Sequence, residues 1–461
     1  MEVPECPGCR ELRARNAELE ARILALEGQV RDLLDKLKPP QAPKPLTPQP
    51  PAPAKKPTGK NPGGQPGHPP LMKVLVPPER VNKVVPYLPE RCAKCAGPLS
   101  KEAGAKDPEP KRHQVAELPK IAAEITEHQA HARTCSCCGE VTWGKIPAAV
   151  RAHSVGPDLT GLMGYLVGVQ GVSKRGVEEI VEQVFEVPIG LGTIANLEQE
   201  LSAALTPAHE EARQAIASAA VKHTDETGWK QAGKKRWLWV SATATIVYFV
   251  IHARRNLDAL KRVAGEKLSG IVCSDRWCVY DDWPGQRQLC WAHVKRNWEK
   301  QIERGGAAKR VGEAWLEGHR RVFELWHLFR GGGCTRTELD ERMAPLMVAM
   351  LGVLGDGCRT RDRKFARFCT RLRTDYLHLW TFVDTEGVEP TNNHAERVLR
   401  RAVLWRRRSF GCHSADGCRF VERILTVVQT LRQQKRSVLE FLSQAIQSRR
   451  AGQTAPRLVI G

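Results

Sequence analysis

The spacing of hydrophobic and polar positions changes several times along the chain, and each change marks a different kind of element. Near the N-terminus Leu12, Leu19, Leu26 and Leu33 recur every seven residues, with Asn16, Ile23, Val30 and Leu37 at the alternate apolar positions of the same heptads. That spacing predicts a coiled coil; branched residues at a with Leu at d favour two parallel helices, and a lone Asn at a fixes their register. Arg15 and Arg22 at g face Glu20 and Glu27 at e across the seam, so the pattern attracts itself and a homodimer is expected. Cys6 and Cys9 precede the zipper as exposed thiols or as half of a zinc site shared by two chains. From Pro39 to Pro70 the periodicity is lost among thirteen prolines, which predicts a semi-rigid, extended linker.

Beyond the linker, two Cys-x-x-Cys pairs, Cys92/Cys95 and Cys135/Cys138, have the ligand spacing of a tetrahedral four-thiolate site, and one structural Zn²⁺ is expected there. Cys137, His113, His128 and His131 are competing ligands. Residues 156 to 205 then read as helices. One begins at Ser173-Lys174-Arg175, breaks at Val187 to Gly192, and is followed by another from Thr193. The Gly-bearing turn suits a helix-turn-helix, but the second helix carries Glu198 and Glu200 and few basic residues, so plain helical packing fits equally well.

Near residue 221 the period shortens to that of strands. Val221 to Asp225 reads as a strand ending in an acid, followed by two β-rich runs, Lys235 to Ala244 and Thr245 to Ala253. A helix near Asn256 to Val263, a short apolar strand from Gly270 to Asp275 and another at Arg287 to Cys290 complete the series, and helices dominate afterwards. Three strands, a helix and two further strands is the element order of the ribonuclease H-like fold. Asp225 and Asp275 stand at the ends of its first and fourth strands. Glu396 lies on a later helix, where six of the twelve residues from Arg397 to Arg408 are Arg. On that helix Glu396, Arg400, Val403 and Arg407 share one face, while Val398, Ala402 and Trp405 share another that can pack inward.

Composition narrows the partner. With 71 Lys+Arg against 51 Asp+Glu the chain carries a formal charge of +20, which favours a polyanion, nucleic acid first. The N-terminus lacks the basic and apolar regions of a signal peptide. The nearest approach to a membrane span, Leu159 to Val172, is short and Gly-rich. A cytoplasmic protein is expected, in which fifteen cysteines serve as reduced thiols or zinc ligands more than as disulfides.

Four motifs in order resemble the DDE transposases of the insertion sequence sixty-six family, of the transposase C type. They are Asp225-Glu226-Thr227 after His223; Ser274-Asp275 with Tyr280 behind it; Cys290-Trp291-Ala292-His293-Val294-Lys295-Arg296; and Asn392-Asn393-x-Ala395-Glu396-Arg397 followed by Arg407-Arg408-Ser409-Phe410. The zipper, the Gly63-Gly64-Gln65-Pro66-Gly67-His68 linker end and the paired cysteines resemble the family's N-terminal half. Cys95-Ala96-Gly97 departs from it, the family tending to have Gly directly after the second Cys.

The resemblance implies a multidomain α/β chain whose ribonuclease H-like catalytic core carries a helical insertion, preceded by a coiled coil, a zinc-binding module and a helical domain. The expected boundaries are 1–38 for the zipper, 39–70 for the linker, 71–150 for the zinc module and 151–212 for a helical DNA-binding arm. The core spans 213–298 and 385–436 around the insertion 299–384, and 437–461 forms a C-terminal helix and tail. Asp225, Asp275 and Glu396 are the expected catalytic residues and ligands of two Mg²⁺, since hard oxygen donors suit that ion and two metals can neutralise both oxygens of an in-line displacement. Arg397, Arg400, Arg401 and Arg407 are expected on DNA phosphates near the cut. Double-stranded DNA, both element ends and target, is the implied partner of a bacterial, nucleoid-associated enzyme, with small accessory proteins of the same element beside it.

Several neighbours of these residues carry their own expectations. Glu226 points to the opposite face if its strand continues. Asp281, Asp282 and Glu389 lie outside the motifs. Asn392 and Asn393 either position Glu396 or a phosphate, or cap the helix. Trp298, Trp315, Trp326 and Trp380, in or beside the insertion, are expected in a core rather than stacked on a displaced base. Cys290 and His293 could form half of a metal site, with packing the safer expectation. Two other functions compete with transposition: a nuclease that cuts without joining, and a catalytically silent dimeric DNA-binding protein. The intact acids count against the second, the zipper and arms against the first.

Overall fold

The computed structural model describes residues 75–460 apart from 103, 105, 106 and 120. The zipper, the Cys6/Cys9 pair and the Pro-rich linker lie outside the described residues. The chain divides after Glu117 into two units. The described part of the first has little regular structure: a 3₁₀ turn at Pro78–Arg80, a tight turn at Cys92, and paired hydrogen bonds between the backbone of Val76 and the side chain of Gln114, each 2.8 Å.

The second unit opens with a hairpin, Ala132–Thr134 against Val141–Trp143, a single helical turn at Ala148–Arg151, and four longer helices: α1 (Pro157–Tyr165), α2 (Lys174–Phe185), α3 (Leu191–Ala204) and α4 (Thr206–Ser218). A π-helical turn, Leu166–Gln170, follows α1, and Ser173 caps α2 by accepting the amide of Gly176. The acids of α3 are taken up inside the molecule: Glu198 pairs with Lys174 at 3.0 Å and Glu200 with Arg450 at 2.8 Å. Of the two roles open to this helix, packing is the one its contacts serve.

A five-stranded sheet follows, formed by β1 (Val221–Gln231), β2 (Lys234–Ala242), β3 (Val247–His252), β4 (Ile271–Ser274) and β5 (Arg287–Leu289), in the order β3-β2-β1-β4-β5. The first three strands form an antiparallel meander, and β4 and β5 add in parallel through α5 (Leu257–Ala264). Strand β1 does not end at Asp225 as expected from sequence. It runs six residues further, paired with β2 to Gln231↔Lys234. Gly411 and Cys412 dock on its far end: the Cys412 amide donates to the Lys230 carbonyl at 2.9 Å, and a Cβ on Gly411 would fall 2.3 Å from that oxygen.

After the sheet come α6 (Trp291–Ile302), α7 (Gly306–Arg330), α8 (Arg336–Cys358), α9 (Arg363–Thr374), α10 (Asn393–Ser409), α11 (Ala415–Gln433) and α12 (Val438–Arg450). Helices α6 to α9 close around one aromatic core. Trp298 stacks on Trp315 with ring centroids 5.0 Å apart, and Trp298, Trp315, Trp326 and Trp380 are all buried, as the apolar spacing suggested. Ala395, Val398, Leu399 and Ala402 of α10 pack on the sheet face that carries Val240 and Phe249. Helix α11 covers the exposed edge of β3. At helical four-residue spacing, Glu422, Thr426 and Thr430 accept the outward amides of Ile251, Phe249 and Val247, which leaves that edge no free ladder. Among the described residues no helix is long and apolar enough to cross a membrane.

Candidate active site

The register of the sheet sets two acids side by side. His223 of β1 pairs in parallel with Cys273 of β4, so two residues further along each chain Asp225 stands level with Asp275. Asp275 is the first residue after β4, and its Oδ1 accepts the Trp277 amide at 2.9 Å. Glu396 comes from the first turn of α10 and lines, with Asp225, Glu389, Thr391, Arg397 and Arg400, one cavity of about 620 Å³. Burial, then Glu226, then Asp275 and Glu396 push the Asp225 carboxyl up to about 8.

Asn392 fixes the entry of the third acid. Although it occupies the N-cap position of α10, its side chain makes no capping bond. It is buried and spans to the sheet instead. Its Nδ2 donates to the Thr224 carbonyl at 2.8 Å, its Oδ1 lies 3.1 Å from His223 Nδ1, and its amide donates to Cys290 Sγ at 3.2 Å. The Trp291 amide donates to the Pro390 carbonyl at 3.0 Å, so the chain leaves the sheet for the insertion and returns to α10 at one point.

Helix α6 brackets Glu396 from the other side. Arg296 Nη2 lies 3.4 Å, and His293 Nδ1 3.5 Å, from its Oε1. That nitrogen is buried without a hydrogen-bond partner, and burial is the chief cause lowering the imidazole pKa. Cys290 Sγ, a His293 nitrogen and a Glu396 oxygen fall within 4.8 Å of one another, a set able to hold a metal ion. The Cys290 thiol is pushed up by burial and accepts the Asn392 amide.

Glu226 enters the other face of the sheet, as strand alternation requires. Its carboxylate accepts from Arg255, Nε at 2.7 Å, and from the Tyr280 hydroxyl at 3.0 Å, and its side chain is 2% exposed. The Arg255 guanidinium lies 3.7 Å from the Trp277 ring and 5.1 Å from that of Trp237. Sequence spacing carries no signal for this pair, since the hairpin of β2 and β3 separates its members. Glu389, which the motifs passed over, lines the acid cavity and pairs with Arg330. Asp281 pairs with Arg287 at 2.9 Å.

The arginines expected on phosphate separate. Arg397 and Arg400 line the acid cavity, Arg401 lines a different one, and Arg407 is exposed on α10 and lines neither. Arg406 is spent on structure, donating to Thr227 Oγ1 at 3.0 Å and to the Gly228 carbonyl.

Each Cys pair sits on a turn of the same design. Cys92 donates its amide to Gly97 O and accepts that of Ala96; Cys135 donates to Glu140 O and accepts that of Gly139, all at 2.8–2.9 Å. Ala96 takes φ +58°, the left-handed conformation that Gly139 takes at φ +74°, so the turn keeps its form where glycine is missing. Backbone amides, from Cys95 and from Cys138 first, lower the thiol pKa of Cys92 and of Cys135.

Residues 155–419, more than half of the chain, match the Transposase IS66 family. The chain belongs to that family of transposases. It is also 26% identical over 240 residues to an uncharacterized protein, y4qI, of Sinorhizobium fredii, an alignment that covers 46% of this chain and 43% of that one.

Proposed function

We propose that the protein is a DNA transposase that cuts element ends and joins them to target DNA at Asp225, Asp275 and Glu396, within a ribonuclease H-like core. The observation that carries this is the convergence of these acids from β1, the end of β4 and α10: Asp225 and Glu396 line one cavity, and burial, with Glu226, Asp275 and Glu396 close by, pushes the Asp225 carboxyl up to about 8. A 3-2-1-4-5 strand order supports the core assignment.

Clustered like charges on hard oxygen donors fit divalent Mg²⁺. When bound at these carboxylates, such ions supply charge neutralisation for the attacking and leaving oxygens of phosphoryl transfer. The chain's own residues do the placing. Asn392 and the Cys290 sulfur fix where Glu396 begins its helix, and Arg296 and His293 confine its carboxylate. Arg397 and Arg400, on the same cavity, meet the phosphates that flank the reacting one. Water is the nucleophile that frees a 3′-hydroxyl in the first step, and that hydroxyl attacks target DNA in the second.

Each Cys turn, with its lowered thiol pKa, offers two thiols of its own unit, and the Cys-x-x-Cys spacing of the two pairs in the sequence suits one structural Zn²⁺ at Cys92, Cys95, Cys135 and Cys138. The heptads of residues 1–38 suit a homodimer that brings two element ends together. A strand-transfer assay with a labelled donor end tests the activity: joined product is expected, cleaved product alone would make the protein a nuclease, and neither would leave a DNA-binding protein.

A further inference from the structure

Arg401, Arg408 and Arg432 converge on a second cavity, of about 140 Å³, that shares no lining residue with the acid cavity. Its floor is the turn from Gly168 to Gly171, part of the Gly-rich run that stands out in the sequence near residue 160. Glycine is required at both ends of that turn. A Cβ on Gly168 would fall 2.3 Å from Ile424 Cγ1, and Gly171 takes φ +69° with a Cβ position 3.3 Å from Arg408 Nη1. The turn therefore seats against α11 and leaves room for the guanidinium of Arg408, whose Nη1 donates to the Gln170 carbonyl at 2.8 Å.

The charge here is unanswered. No acid lines the cavity among the described residues, whereas Arg213, Arg320 and Arg450 each meet a glutamate. Burial, and then the Arg401 guanidinium beside it, lower the pKa of Arg432, whose side chain reaches the Tyr165 hydroxyl rather than a carboxylate. Two fork-shaped donors side by side without an anion, in a space of about 140 Å³, suit one phosphate group.

Position on α10 points to the source of that phosphate. Arg401 and Arg408 lie roughly 120–140° around the helix from Glu396, and Arg408 lies roughly 18 Å further along it. We propose that the cavity clamps the DNA backbone roughly two to five nucleotides from the phosphate held at the acids, since Arg401 lies roughly 7.5 Å and Arg408 roughly 18 Å along α10 from Glu396 and a strand rises about 3.4 Å per nucleotide, an inference that rests on the transposase reading above. Helix α10 then works as a ruler, with its acid at one end and a backbone clamp at the other.

The test measures binding of the full chain to a labelled duplex against salt concentration, without Mg²⁺. It compares wild type, Arg401→Gln/Arg432→Gln, and Arg397→Gln/Arg400→Gln. The first double variant is expected to lower the slope of log affinity against log salt by about one unit per lost contact, with Arg432→Lys keeping most of it. Its melting temperature is expected to stay level or rise, because two unanswered like charges are gone. Should that variant fail to fold, Arg401→Gln alone, on an exposed side chain, carries the same test. A wild type that does not bind DNA sinks the transposase reading itself. A wild type that binds, with a slope lowered by Arg397→Gln/Arg400→Gln and unmoved by Arg401→Gln/Arg432→Gln, overturns the clamp alone. The clamp is equally overturned if inorganic phosphate raises the wild-type melting temperature while the Arg401→Gln/Arg432→Gln variant keeps the full DNA slope.

Discussion

Asp225 and Glu226 are neighbours on one strand, yet the two faces of the sheet treat their carboxylates in opposite ways. Glu226 is met by Arg255, itself sandwiched near Trp237 and Trp277, and by the Tyr280 hydroxyl. Asp225 is buried to a similar degree but faces Asp275 and Glu396, and its own Oδ1 accepts only the Glu226 amide at 2.9 Å. Burial raises both pKa values, and only Glu226 has a cation and a hydroxyl to oppose the rise. The contrast separates an acid with a cation beside it from one that has only acids beside it.

Breaking the reactive side has the largest expected effect. Asp225→Asn, Asp275→Asn and Glu396→Gln, made singly, should each reduce cleavage and strand transfer by on the order of a thousandfold or more in Mg²⁺ and leave DNA binding nearly intact. A variant that still cuts at close to the wild-type rate removes that residue from the site. On the anchoring side, Glu226→Gln leaves the Arg255 guanidinium without its anion. Breaking a buried pair costs about 3–5 kcal/mol, and the partial exposure of Arg255 places this one near the lower figure. Urea denaturation reads it directly, and an unchanged midpoint would show that the pair is no anchor.

Asp225→Asn should act on stability in the reverse direction when metal is absent. The folded carboxyl binds its proton more tightly than the unfolded one, with a pKa of about 8 against 3.8, so wild-type stability should fall as pH rises from about 4 to 8. The variant lacks that loss and should gain on the order of a few kcal/mol at pH 8 and almost nothing at pH 4. Saturating Mg²⁺ should raise the wild-type melting temperature most at pH 8 and leave the variant nearly unmoved. Parallel melting curves for the two proteins across this range would mean that Asp225 titrates as an ordinary acid.

The smallest effect on this contrast should come from the cysteines. Cys92→Ser with Cys135→Ser should remove one zinc per chain without altering the Mg²⁺ response at the acids. Elemental analysis that still finds one zinc in this variant would exclude the four thiols as its ligands.

Much of this was legible in the sequence, because alternation and helical spacing are local. The order of strands and helices, the burial of the tryptophans and the outward turn of Glu226 all follow from period alone. The continuation of β1 past Asp225 does not. The strand pattern reads as ending at Asp225, and the segment beyond stays extended through pairing with β2 and the docking of Gly411 and Cys412, both formed at a distance. Arg401 was placed with Arg397 and Arg400 for the same reason. A helical wheel sets Arg401 beside Arg397, one turn apart, and only the packing of α11 and the Gly168 turn shows that they meet different cavities. Asn392 read equally well as a cap, until Thr224 and Cys290 were brought to it from residues far off in the chain.

The staple between Cys290 and Asn392, 102 positions apart in sequence, also bears on how such a protein can change. Helices α6 to α9 form an excursion whose two ends meet at the sheet, so lengthening, trimming or exchanging the loops among them leaves the staple and the first turn of α10 in place. Loops among α7 to α9 can thus vary while the acid site is kept, so long as α6 holds His293 and Arg296 beside Glu396, whose helix is started by Thr224, Cys290 and Asn392.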